Sequence, residues 1–253
     1  MAYDINEALL RELRDQANTL LTGAHLLEGL VEEQGRERDR TCLAAMNKSL
    51  YCILRTIGHL ELTGNEELSF RPAPLDLARF CMELGEQVES LTRELGVDFR
   101  WAVEERAILT LGDKALLTQA VLALLTNAFE AAGAGGHVSL SCTRHGDQCH
   151  ITVTDDGPGL TEPDPDANPL LKRPGGLGLG LPTARRCAEA HGGTVMLGNG
   201  EHGVRAVLSI PLRESQGGQV RSPDRDLFGG FSPLLVEFAP LLPADTFFGR
   251  NLD

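Results

Sequence analysis

From Ile5 to Val31, apolar residues recur at Leu9, Leu13, Ala17, Leu20, Ala24, Leu27 and Val31, in steps of three and four. That spacing keeps them along one side of a helix. The charged stretch 32–40 (EEQGRERDR) interrupts the pattern, and a second seam follows through Leu43, Met46, Leu50, Ile53, Ile57 and Leu60. Two long helices joined by a short polar turn make an antiparallel hairpin. One hairpin cannot bury both its seam and the flanking Leu10, Leu21, Leu30 and Leu54. A second copy is therefore expected, closing a dimeric four-helix bundle. The alternative is a hairpin packed on its own downstream domain.

The pattern breaks at Gly64-Asn65, with Pro72 and Pro74 beyond, which places a domain boundary near residue 66. A helix is predicted over Leu75–Leu95, with β-rich runs at Val97–Val103 and Ala107–Leu111. Asp113 suits an N-cap for a helix over Lys114–Ala132. Strands at His137–Thr143 and Cys149–Thr154 form a hairpin turning at His145-Gly146-Asp147. A helix at Leu181–His191 leads to a last hairpin, Thr194–Leu197 and Val204–Ile210, whose turn holds Asn199-Gly200. The fold class is α+β: a helical hairpin (1–66), an α/β sandwich (67–213) and a tail (214–253). The tail starts polar and Gly/Ser-rich, then carries five of the nine phenylalanines, Phe228, Phe231, Phe238, Phe247 and Phe248. Prolines 233, 240 and 243 make it an irregular docking segment, on its own body or on a partner, instead of a long helix.

Composition narrows the function. With 36 acids against 23 bases the formal charge is −13, which argues against a nucleic-acid partner, since phosphate binding needs clustered cations. Six cysteines, none in a CxxC pair, fit neither a zinc site nor a disulfide framework. No run of 18 apolar residues predicts a membrane span, and the acidic, amphipathic start is unlike a signal peptide, so a cytoplasmic location is expected.

Three clusters carry chemistry. On the helix that contains LALLTNAFEAA (122–132), the residues Ala120, Ala123, Asn127 and Ala131 form a stripe of small side chains with one amide, whose oxygen suits a hard cation such as Mg2+ shared with nucleotide phosphates. A solvent-facing amide is the other reading of Asn127. In TDDGPGL, a strand ends at Asp155-Asp156, where a carboxylate can accept from an amino group such as that of adenine; Gly157 and Gly159 allow close backbone approach, or simply make a turn. In GGLGLGLPTARRCAEAHGG, Gly175, Gly176, Gly178 and Gly180 run into a helix N-terminus, where free amides and the helix dipole favour phosphate; a plain linker is the alternative. Neither a P-loop nor the dinucleotide fingerprint fits this run. The 16 residues between Gly159 and Gly176 would make a lid, with Lys172 or Arg173 meeting a terminal phosphate, or else an acidic loop with two solvated bases.

The order of these clusters resembles the ATP-binding domain of sensor histidine kinases, of the fold shared with gyrase and MutL. The preceding hairpin resembles their dimerisation and phosphotransfer domain. The resemblance covers about residues 5 to 213 and implies ATP and Mg2+ as cofactors. It implies Asn127 on the metal ion, Asp155 on the adenine amino group, Gly157 and Gly159 as hinges of the lid, and Gly176, Gly178 and Gly180, ahead of Leu181, around the phosphates. The chain also departs from the family. Ala123 stands where an earlier asparagine is usual, no aromatic lid motif occurs, and Val204-Arg205 replace a threonine that often contacts nucleotide.

The largest departure is in RELRDQANTLLTGAHLLEGL. Arg11 takes the position of the phosphoacceptor histidine ahead of Glu12, Leu13 and Arg14, and a permanently protonated guanidinium is no nucleophile. His25, about 21 Å further along the helix at roughly 1.5 Å per residue, and His59 on the second helix are the remaining candidates. The resemblance thus implies a cytoplasmic, homodimeric, nucleotide-binding protein of two-component signalling with a degenerate acceptor site. It would act as regulator or scaffold, with a response regulator or an intact kinase as partner. An active kinase or ATPase using His25, His59 or a residue on a partner, and an interaction module without nucleotide, are the alternatives.

Overall fold

The computed structural model describes residues 5–34, 37–64, 68–160, 178–213, 227 and 230–248. The chain divides into two compact units: Met1–Glu66 together with Asp226–Asp253, and Glu67–Arg225.

The first unit is the helical one. Helices α1 (Ile5–Gln34) and α2 (Glu37–Gly64) run antiparallel, tied near one end by Arg14 to Glu61 (2.5 Å) and near the other by Asn47 to Glu28 (2.7 Å). The buried positions of α1 are Ala17, Leu21, Ala24 and Glu28, so the inward face is rotated from the predicted seam. Leu9, Leu13, Leu20 and Leu27 of that seam lie exposed instead, as do Met46 and Ile53 of the second. The reason is a third wall that periodicity within the helices could not reveal. The C-terminal segment packs on the hairpin through a short helix, α6 (Pro233–Phe238), and a 3-10 turn, Ala244–Phe247. Ser232 caps α6 and Pro233 opens it, where a missing amide costs nothing. Phe238 and Phe247 are fully buried, and Tyr51 meets Phe247 at a ring separation of 4.9 Å and Phe231 at 5.7 Å.

The second unit is a two-layer α/β sandwich. A five-stranded sheet has the order β2-β4-β5-β7-β6, built from β2 (Asp98–Val103), β4 (His137–His145), β5 (Gln148–Asp155), β6 (Thr194–Asn199) and β7 (Val204–Pro211). Only β2 and β4 pair in parallel; the other neighbours are antiparallel. Alternate residues face the helices: Val138, Leu140 and Cys142; Cys149, Ile151 and Val153; Ala206, Leu208 and Ile210 are all buried. Gly146, at φ +61, turns the β4–β5 hairpin. Helices α3 (Leu77–Thr92), α4 (Lys114–Ala132) and α5 (Gly180–Ala190) cover that face. By length and hydropathy α4 would pass for a membrane span, yet two thirds of it (67% of the window) is buried, as befits a core helix.

The predicted helix over Leu75–Leu95 is shorter than expected at both ends. Ala73–Asp76 is instead a strand, β1, paired antiparallel with β3 (Leu109–Gly112). The Asp76 carboxylate accepts from the amides of Ala78 (3.0 Å) and Arg79 (3.4 Å), which starts α3 at Leu77, and from Ile108 (2.9 Å), which ties in β3. At the far end, Arg93–Leu95 tighten to a 3-10 turn before Gly96 at φ +70. Asp113 caps α4 as predicted, accepting from Ala115 (3.1 Å) and Leu116 (3.3 Å).

Candidate functional site

The three sequence clusters meet on the C-terminal half of α4. Asn127 is the exposed residue in an otherwise buried stretch of that helix. Directly opposite stands Gly180, the first residue of α5. A Cβ there would sit 3.4 Å from the Asn127 Oδ1, 3.5 Å from its Nδ2 and 3.7 Å from the Ala123 carbonyl. One turn further along α4, Gly157 lies against Ala131; a Cβ at 157 would stand 2.7 Å from the Ala131 carbonyl oxygen, so only glycine fits. The turn after β5 and the start of α5 thus flank the same short length of α4, with the Asn127 amide between them.

Asp155 ends β5 and is buried, and its Oδ1 accepts from the amides of Gly157 (3.0 Å) and Val204 (3.2 Å). Among the described residues no hydrogen bond reaches Oδ2, which leaves that oxygen as an acceptor for an incoming amino group. Burial pushes the Asp155 carboxyl above its ordinary value, against the two amides, which pull it down. Its neighbour Asp156 does different work. It accepts from the His137 amide (2.8 Å) and contacts the His137 ring (2.8 Å), and those hydrogen bonds lower its carboxyl. The structure gives the two adjacent aspartates opposite surroundings.

The start of α5 has no side-chain cap, and Pro182 supplies no amide in its first turn. The peptide N–H groups of that turn are therefore directed at whatever sits beside Asn127, an arrangement suited to an anion. Gly178, exposed with φ +69, brings the chain into the helix, and Leu181 is half-buried in its first turn. Gly159 has φ +78, and the next amide, that of Leu160, donates to the Asn199 Oδ1 at 2.8 Å. Gly176, Lys172 and Arg173 lie outside the described residues. Among the described residues no group of three or more His, Cys, Asp or Glu is placed to hold a metal ion.

Residues 112–214, which span all of these described side chains, match the family of histidine kinase-, DNA gyrase B-, and HSP90-like ATPases. Over this stretch the protein is histidine-kinase-like. The adaptive-response sensory kinase SasA of Synechococcus sp. (strain CC9902) is 26% identical over 230 residues, which cover 83% of this chain and 58% of that one. The sensor protein PfeS of Pseudomonas aeruginosa is 35% identical over 137 residues, 52% of this chain and 29% of that one. The histidine-kinase-like chain therefore spans little more than half of the first relative and less of the second. Full-length ShkA, solved in complex with AMPPNP, superposes with a TM-score of 0.65 at 25% identity, covering 83% of this chain and 46% of that one.

The acceptor candidates lie in the hairpin unit of this histidine-kinase-like protein. Arg11 is exposed on α1. His25 is half-buried with its Nε2 enclosed, its ring 6.3 Å from that of Phe231. His59 is only 2% exposed, and its Nε2 lies 2.9 Å from the Glu237 Oε2.

Several residues that shape the sandwich carry no clear mark in the sequence. Gly203, at φ +68, has no room for a side chain, since a Cβ would stand 2.1 Å from the Asp155 carbonyl oxygen. Asn199 reads in the sequence only as a turn residue, although it anchors Leu160. Gln119 and Thr183, on the facing helices α4 and α5, bury polar atoms with no hydrogen-bond partner among the described residues. A glycine at the close of a hairpin turn is the one available signal for position 203. Nothing in the local pattern marks the other three.

Proposed function

We propose that this chain binds ATP with magnesium in the α4–α5–β5 cleft and serves in two-component signalling as a degenerate histidine kinase, a regulator or scaffold. The observation that carries this reading is the convergence of Asp155, Asn127 and the uncapped start of α5 on one stretch of α4. Asp155 would accept from the adenine amino group through Oδ2. Asn127 would hold Mg2+ through Oδ1, and the amides around Gly178, Gly180 and Leu181 would cradle phosphate, with Gly176, Lys172 and Arg173 as further contacts and Gly157 and Gly159 as hinges. Bound ATP supplies a transferable phosphoryl group, and positioning with charge neutralisation is most of what such a transfer needs. The solved relative in complex with AMPPNP supports a nucleotide in this place.

Arg11 at the acceptor position argues against self-phosphorylation there. Within this chain the active-kinase reading rests on His25 or His59, and both lie against the C-terminal segment; a residue on a partner is its other acceptor.

Calorimetric titration with AMPPNP and Mg2+ tests the cleft. Asp155→Asn turns an acceptor into a donor facing the adenine amino group, and a weakening of at least about 100-fold, roughly 2.7 kcal/mol, is expected. Absence of heat with the unaltered protein would favour the nucleotide-free interaction module. Incubation with labelled ATP and Mg2+ is expected to leave the chain unlabelled, and acid-labile label at His25 or His59 would establish the active kinase instead.

The exposed stripe of Leu9, Leu13, Leu20, Leu27, Met46 and Ile53 supports a homodimer. Leu20 is 61% exposed and Ile53 48%, and residues 13, 20 and 27, like 46 and 53, are a heptad apart. Leu20→Asp is expected to halve the mass measured by light scattering without loss of helix content; an unchanged mass would remove this interface. A cytoplasmic location, and a response regulator or intact kinase as partner, complete the proposal.

A further inference from the structure

The C-terminal segment fills the groove of the hairpin with an unusual contact. Glu237, on α6, is 0% exposed, and its carboxylate meets the Arg55 Nε at 3.0 Å and the His59 Nε2 at 2.9 Å, both from α2. Around this cluster the segment is tied by main-chain oxygens. The Lys48 ammonium donates to the carbonyls of Leu242 (2.7 Å) and Pro240 (3.4 Å), the Asn47 amide to that of Phe247 (2.9 Å), and Arg14 to that of Leu227. Phe231 lies over His25 and Tyr51.

A segment needed only to cover leucines would be apolar throughout. This one buries an ionised carboxylate, which fixes the register strictly and is costly to leave unpaired. The six residues of α6 are also too few to hold a helix in isolation, so the segment is ordered by docking and not before it. A docked state and a released state are therefore the two natural conditions of the tail. The docked state covers the two histidines that the hairpin could offer a phosphoryl donor.

We propose that residues 230–248 are a built-in cover of the hairpin. They enclose His59 and the inner edge of His25, and the Glu237–Arg55–His59 cluster is the latch. Any transfer to these histidines, and any partner reaching for the same groove, must first displace the tail. The consequence for transfer rests on the kinase-like reading above, but the docking can be tested without nucleotide.

The test is carbethoxylation of the full chain by diethyl pyrocarbonate, mapped by mass spectrometry. Exposed His145 and His202 serve as the reactive reference, and buried His191 reports the integrity of the nucleotide-binding unit. In the unaltered protein His59 is expected to react at least tenfold more slowly than the reference. In Glu237→Gln, with helix content retained by circular dichroism, it should approach the reference rate while His191 stays silent. A fast His59 in the unaltered protein, or a silent one in Glu237→Gln, overturns the proposal. Should Glu237→Gln lose the hairpin helices, Phe231→Ala decides: His25 must gain reactivity while His59 stays silent, and no gain at His25 refutes the cover. An empty nucleotide cleft by calorimetry, with these rates as expected, would instead remove the kinase-like reading and leave the cover standing.

Discussion

Gly203→Ala is expected to abolish nucleotide binding at concentrations that saturate the unaltered protein. A Cβ at this position would stand 2.1 Å from the Asp155 carbonyl oxygen and 2.6 Å from its Oδ1, and the backbone sits at φ +68. The left-handed backbone alone costs an alanine about 1–2 kcal/mol. The overlap adds to this, because the end of β5 and the carboxylate must both move. Asp155 would lose the Val204 amide that holds its Oδ1 at 3.2 Å. Calorimetry with AMPPNP measures the affinity, and thermal unfolding measures the accompanying loss of stability. Gly198→Ala is the matched control in the same hairpin, since nothing lies within 4 Å of a Cβ there and its φ is ordinary. Equal affinity in both variants would mean that Asp155 is not the adenine contact.

Glu237→Ala is expected to destabilise the hairpin unit by about 3–5 kcal/mol, the penalty for leaving a buried charge without its partner. Arg55, whose side chain is 11% exposed, and His59 would lose their contacts with this carboxylate at 3.0 and 2.9 Å. The Glu67–Arg225 unit does not contain residue 237, so differential scanning calorimetry should show one transition shifted and the other unmoved. Burial raises the Glu237 carboxyl, but the charges and hydrogen bonds of His59 and Arg55 outweigh it and hold the group below its ordinary value. A lowered carboxyl stabilises the folded unit fully above the unfolded value, about 4.3, and the contribution disappears as pH falls through the lower folded value. The part of the difference between Glu237→Ala and the unaltered protein that comes from the carboxylate charge should therefore shrink as pH falls below about 4. A difference that persists undiminished at pH 3 would assign the effect to lost packing and not to charge.

Elements whose partners are close along the chain are legible in the sequence. The cap at Asp113, the Gly146 turn and the core stretch of α4 each depend on contacts within a few residues, where propensity and capping dominate. The strand Ala73–Asp76 escapes sequence reading because it is four residues long and pairs with Leu109–Gly112, too far away to leave a local pattern. The hairpin misleads for the same reason. Its three-and-four spacing is real, but which face turns inward depends on a segment about 180 residues further on, as the separation of His59 from Glu237 shows.

The candidate site divides in the same way. Asn127, Asp155 and the glycines ahead of α5 are legible because their order along the chain, more than any one of them, is distinctive. Residue types and their sequence already determined an α+β chain with a helical hairpin, a sandwich of the histidine-kinase kind, and three clusters suited to one nucleotide. Tertiary structure alone decided that Asp155 and not Asp156 is the buried carboxylate, that Gly203 seals its position, and that Glu237 closes over His59. Local sequence sets backbone geometry and the order of chemical groups. Burial and charge pairing arise between residues distant along the chain, and only the folded packing brings them together.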